Sequence, residues 1–159
     1  MSSICSKRLD GDTDCLIKDS AFRAVNQTVT QTLPADTFVK VVFPTVQFDL
    51  GNEYKPATST FKPSSRGIYF LVAFIGFSPD NPNVNYRTRI EIRVNGEPAI
   101  SIDNDFFGPV PFLNGAAVSD ILQLCPGDRV EIYAQSSTAG TISTAETGSH
   151  FAAARISSL

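Results

Sequence analysis

His150 is the only histidine in this 159-residue chain. Imidazole is the side chain best suited to moving protons near neutral pH. Nucleophilic catalysis would need it beside a serine or cysteine, and no nucleophile-elbow motif is present. His150 stands at the start of an apolar run, Phe151 to Ile156, where it is expected as a bystander. Cys5, Cys15 and Cys125 lack zinc-knuckle spacing and are too few for a disulfide scaffold. Asp103-Asn104-Asp105 is the one acidic cluster with a metal role open to it. Calcium takes such oxygen ligands, while the competing reading is turn chemistry in a loop. Asn26-Gln27-Thr28 has the form of a glycosylation acceptor but falls in a predicted strand. No convergent set of acid, base, nucleophile or metal ligands emerges. The residues therefore point to a protein that is not an enzyme and needs no cofactor.

The elements that would position these residues read as strands. Hydrophobic residues make up 42% of the chain, enough for one domain with a real core. Phenylalanine is abundant, tryptophan is absent, and ten prolines and ten glycines are spread among the apolar runs. Aromatic and β-branched residues suit pleated surfaces. Phe38 to Phe43 is a predicted strand ended by Pro44, and Thr58 to Phe61 a short one closed by Pro63 and Gly67. Ile68 to Phe77 is apolar at almost every position, which predicts a strand buried on both faces. Tyr86 to Val94 alternates: Tyr86, Thr88, Ile90, Ile92 and Val94 face one way, Arg87, Arg89, Glu91 and Arg93 the other. The charged row predicts a solvated outer face, with a ligand-binding basic strip as the other reading. Asn95-Gly96 is a strong hairpin signal, returning through Ala99 to Ile102. Asp103 to Gly115 reads as a long loop. Ala116 to Leu124 is too short before Pro126-Gly127 for a helix and reads as a strand. Asp128 to Gln135 alternates with Val130, Ile132 and Ala134 inward, Ser136 to Ser149 reads as a loop, and Phe151 to Ile156 as the last strand. Eight to ten short strands with regular turns mark an antiparallel sandwich or barrel.

Residues 1 to 19 form a polar, Asp-rich segment carrying Cys5 and Cys15, expected as a flexible arm before a domain over residues 20 to 159. Met1 to Leu16 has no apolar core of a secretory signal. No stretch is apolar enough to span a bilayer as a helix, and a net charge of −3 gives no case for nucleic acid.

Several spacings coincide with one family. Phe43, Asp49, Tyr54, Phe61 and Gly67-x-Tyr69, separated by five, four, six and five residues, resemble the globular head of complement component 1q, in the tumour necrosis factor superfamily. Ala21-Phe22, the run from Ser119 to Leu124, Gly127-Asp128 with Val130, and Ser149-x-Phe151 fit in order. Leu71 and Ala73 stand where the family usually carries aromatics. The resemblance implies a ten-stranded jelly-roll β-sandwich forming a homotrimer. It also implies that Phe43, Asp49, Tyr54, Phe61, Gly67, Tyr69, Gly127, Asp128 and Phe151 are structural. A trimer would give the second face of Ile68–Phe77 its dry surface, and Ala152, Ala153 and Ala154 would let backbones approach. The alternative is a loop of the same subunit over that face.

The functional expectation is a non-enzymatic structural or adhesive trimer at a cell or spore surface, reached without a signal peptide. The arm resembles that of basal-layer proteins of the Bacillus spore outer coat, with Cys5 and Cys15 as candidate cross-links to other surface-layer proteins. The alternative is a soluble module binding a protein or glycan through Asn81–Asn85, Asp103–Gly115 and Ser136–Ser149. Cys125 is expected as a buried free thiol.

Overall fold

The computed structural model describes residues 19–110, 113–145 and 148–159. These form thirteen strand segments and no helix. In chain order they are β1 (Ala21–Val25), β2 (Gln31–Leu33), β3 (Val39–Lys40), β4 (Thr45–Asp49), β5 (Tyr54–Lys55), β6 (Thr60–Phe61), β7 (Gly67–Pro79), β8 (Tyr86–Val94), β9 (Glu97–Phe106), β10 (Asn114–Leu124), β11 (Val130–Ser136), β12 (Gly140–Ile142) and β13 (Ser149–Ser158). The two-residue pieces β5 and β6 each stop just short of a proline, which has no N–H for a ladder.

Two antiparallel sheets face each other. One runs β2-β12-β7-β13-β1-β4, with β10 on the other edge of β7. The second runs β5-β6-β11-β8-β9, with β3 also on β11. Long β7 is the spine of the first sheet. β10 pairs with it from Gly67 to Phe77, while β13 and then β12 share its opposite edge.

The alternation of β7 explains its composition. Tyr69, Leu71, Ala73, Ile75 and Phe77 point inward and are at most 1% exposed. Ile68, Phe70, Val72 and Phe74 point outward, and Phe70 is 41% exposed. The strand is apolar on both faces, but no loop among the described residues seals the outer one. In β8, Tyr86, Thr88, Ile90 and Ile92 are buried as expected, and in β11 Val130, Ile132 and Ala134 are fully buried. The Asn95-Gly96 turn takes positive φ at both residues, 55° and 91°, the conformation a two-residue hairpin of this hand demands.

Four sequence expectations need correction. The predicted Phe38–Phe43 strand pairs only at Val39–Lys40 and through Val41 N–H to the Ile132 carbonyl. Phe43 has left the ladder, and its N–H donates to Ser59 Oγ. The predicted loop from Asp103 begins later, because β9 continues through Phe106. Arg87 opposes Asp105 and Arg89 opposes Asp103 across the β8–β9 ladder, and these charge pairs carry a stretch that strand propensity disfavours. Ser136 to Ser149 contains β12, where Gly140 lies against the Ser78 carbonyl and the Phe77 ring with no room for a side chain. The row Arg87-Arg89-Glu91-Arg93 is solvated only at its first half. Glu91 is 3% exposed, and Arg93 is held between the Phe38 and Tyr133 rings, 4.7 and 4.2 Å from their centroids. A long aliphatic stem and planar head let Arg93 cover apolar surface.

Candidate functional site

The signature residues converge on one end of the sandwich interior. The Phe22 ring lies 4.6 Å from Tyr54, 4.8 Å from Phe61 and 4.9 Å from Phe151, centroid to centroid. Phe43 lies 6.0 Å from Phe151, and Tyr69 lies 5.8 Å from Phe61. The Tyr54 hydroxyl donates to the Phe43 carbonyl at 2.9 Å, and burial pushes its phenol pKa upward. Asp49 accepts from the N–H groups of Glu53 and Tyr54, at 3.1 and 2.9 Å, closing the loop between β4 and β5. Gly67 faces the Ser157 carbonyl so closely that a Cβ would lie 2.6 Å from it. Gly127 adopts φ +86°, and Asp128 accepts from Cys125 N–H and Asn95 Nδ2 at 2.8 and 2.9 Å. These residues pack, cap and turn the chain.

The candidate chemical residues lie apart. His150 is on β13, facing outward, its ring stacked on Phe74 at 5.8 Å and 18°. Burial lowers its pKa, and the positive charge of Arg23 lowers it further. Asp103 and Asp105 lie in β9, not in a calcium-type loop. Arg89 Nε donates to Asp103 at 2.6 Å and Arg87 Nε to Asp105 at 2.7 Å. The arginine hydrogen bonds hold both carboxyls below their usual range, desolvation opposing. Among the described residues no group of three His, Cys, Asp or Glu side chains could hold a metal ion. Asn26 is fully buried, and its amide donates to the Val29 carbonyl while accepting from Val29 N–H. It is therefore closed to glycosylation in the folded chain. Cys125 is half-buried at the surface turn before β11 and is disulfide-bonded, which corrects the expectation of a buried free thiol. Cys5 and Cys15 lie outside the described residues, as does the predicted arm but for Asp19.

The surface that stands out is the outer face of the first sheet. Strand registers lay its side chains out as a grid. Phe74 sits beside Ala117 and His150, Val72 beside Ser119 and Ala152, and Phe70 beside Ile121 and Ala154. On β4, Phe48 is 45% exposed beside Arg23 of β1, and Ile121 on β10 is 57% exposed. Isolated exposed hydrophobics are ordinary, whereas a contiguous patch marks an interaction site. Sequence reading found the β7 and β13 shares of this face. It missed Phe48 and Ile121, although the alternation of β10, with Ala116, Val118 and Leu124 inward, was a usable signal.

At one end of the sandwich three predicted binding loops meet. Val110 N–H donates to the Pro82 carbonyl, Gly108 N–H to Asn85 Oδ1, and Asp80 N–H to the Ala139 carbonyl. Ser137 and Arg87 exchange hydrogen bonds across the neighbouring strand ends.

This architecture, two antiparallel sheets in a jelly roll with an aromatic-filled core, defines the complement 1q and tumour necrosis factor-like class of protein modules. The family model for the C1q domain matches residues 21–153, and the chain belongs to that family. As such it is a non-enzymatic module. The globular domain of the zebrafish complement 1qA protein is similar at 17% identity and TM-score 0.60, covering 87% of this chain and 97% of that one. Murine APRIL at pH 5.0 gives 14% identity and TM-score 0.65, over 87% and 100% of the two chains. Eiger TNF from S. frugiperda gives 11% identity and TM-score 0.66, over 89% and 95%. No curated protein sequence matches the chain.

Proposed function

We propose that the chain assembles through the outer face of its first sheet into a homotrimer. The trimer acts as a recognition module that presents its loop-bearing end to a protein or glycan. The observation that carries this reading is the exposed apolar patch on this face, where Phe70 lies between Ile121 and Ala154, Val72 lies beside Ala152, and Phe48 flanks the patch across Arg23. A second copy is the simplest way to dry such a face, since burying it adds hydrophobic free energy. Loops held by a rigid scaffold are where binding concentrates, and the hydrogen bonds among the three loops here reduce the ordering cost of binding.

Light scattering at neutral pH, with and without reductant, tests the reading. A mass of three 17.2 kDa chains in reductant supports it, and a monomer at micromolar concentration overturns it. Display at a cell or spore surface is the accompanying structural proposal, with whichever of Cys5 and Cys15 is not the disulfide partner of Cys125 linking the trimer to other surface proteins. It falls on residues outside those described. Reductant-sensitive larger species on a gel, abolished by Cys5→Ser with Cys15→Ser, would support it. A discrete trimer on the non-reducing gel would end it.

A further inference from the structure

The exposed apolar grid carries one group that titrates near neutrality. His150 is the only histidine in the chain, and it lies on this face in contact with Phe74. Its neighbours in register are Phe74 on β7 and Val25 on β1. Beyond them lie Ala117 on β10 and Thr45 on β4. None of these is acidic. The charged group that acts on the ring among the described residues is Arg23 on β1, whose guanidinium donates to Gln47 on β4. A second positive charge at this place would have no described carboxylate to meet and would lie beside a like charge.

We infer that His150 makes assembly of this face acid-sensitive: the imidazole is neutral when dry between subunits, and protonation releases the subunits from one another. The inference rests on the trimer reading and goes beyond it, because an apolar face alone would be indifferent to pH. In the single chain the imidazole is half-buried and already holds its proton less tightly than an ordinary histidine, first through burial and then through Arg23. Covering the face removes more water and shifts the equilibrium further the same way. The sign follows from linkage. Separated subunits bind more protons than assembled ones, so association is at full strength above about pH 6.5. It weakens as pH falls through the lowered pKa of the separated chain. With one proton taken up per subunit, the trimer association constant falls by up to about a thousandfold per pH unit.

Sedimentation velocity on the full chain from pH 8 to pH 5, compared with His150→Phe and His150→Gln, tests this. Circular dichroism at each pH reports whether the fold persists. The expected result is a wild-type trimer at pH 8 that gives folded monomer as pH falls below about 6.5, with His150→Phe trimeric throughout. His150→Gln should likewise lose the pH dependence, at whatever affinity it has. A wild type that stays trimeric to pH 5, or variants that dissociate in parallel with it, overturns the inference and leaves the trimer reading intact. A wild-type monomer at pH 8 overturns both.

Discussion

Replacing Phe70 with serine tests the assembly face at its centre. Phe70 projects outward from β7 with Ile121 beside it on β10 and Ala154 on β13. In the single chain it is 41% exposed. Of the roughly 200 Å² a phenylalanine can bury, about 80 Å² therefore remains for a partner to cover. At about 25 cal/mol per Å², that is ~2 kcal/mol per subunit. Three copies contribute ~6 kcal/mol, or about four powers of ten in the trimer association constant. Folding of the separate subunit should change far less, because the core side of β7 is untouched. Phe70→Ser should accordingly run as a folded monomer at concentrations where wild type is trimeric, in equilibrium sedimentation at neutral pH. A variant that remains trimeric over a hundredfold dilution would refute the placement of Phe70 in the interface. A variant that unfolds would instead mean that this face stabilises the subunit itself.

Four further outcomes follow from the packing. Phe151→Ala should cost ~3–5 kcal/mol in urea denaturation, because its ring contacts Phe22, Phe43 and Tyr54 in a fully buried cluster. Phe107→Ala, at a site 73% exposed, should stay within ~0.5 kcal/mol of wild type. Arg93→Met should cost ~3 kcal/mol by leaving Glu91, 3% exposed, without its cationic partner, and adding Glu91→Gln should recover part of the loss. Asp103→Asn should cost only ~0.5 kcal/mol, since the Arg89 pair is about one-third exposed and screened. Because Arg89 holds the Asp103 pKa down, that contribution is present above the unfolded carboxylate range. It should disappear as pH falls through the lowered value, so wild type and variant converge in acid.

Much of the sandwich was legible because its strongest signals are local. The period-two alternation of Tyr86 to Val94 names its own inward face, and Asn95-Gly96 dictates the hairpin that follows. The loop residues Asp103 to Phe106 misled because Asp and Asn read as turn formers. Their strand is made by arginines placed opposite on β8, a fact of register rather than of propensity. The covered end of the charged row was hidden for the same reason. Phe38 and Tyr133 are far from Arg93 in sequence and reach it only when β3, β11 and β8 lie side by side. Arg23 meets His150 only through the β1–β13 pairing.

By itself the sequence determined an all-β domain and its hairpin register. It also determined which aromatic residues fill the core, because alternation and turn chemistry are written along the chain. The signature residues are widely spaced, yet they are needed together in one closely packed interior. Only the tertiary structure decided that the outward residues of β7, β10 and β13 form one apolar surface carrying the single histidine, with Arg23 of β1 and Phe48 of β4 beside it. Each strand contributes a row of that surface, and the order of the rows is set by sheet topology. Alternation tells a residue which face it occupies, but only pairing tells it who its neighbours are.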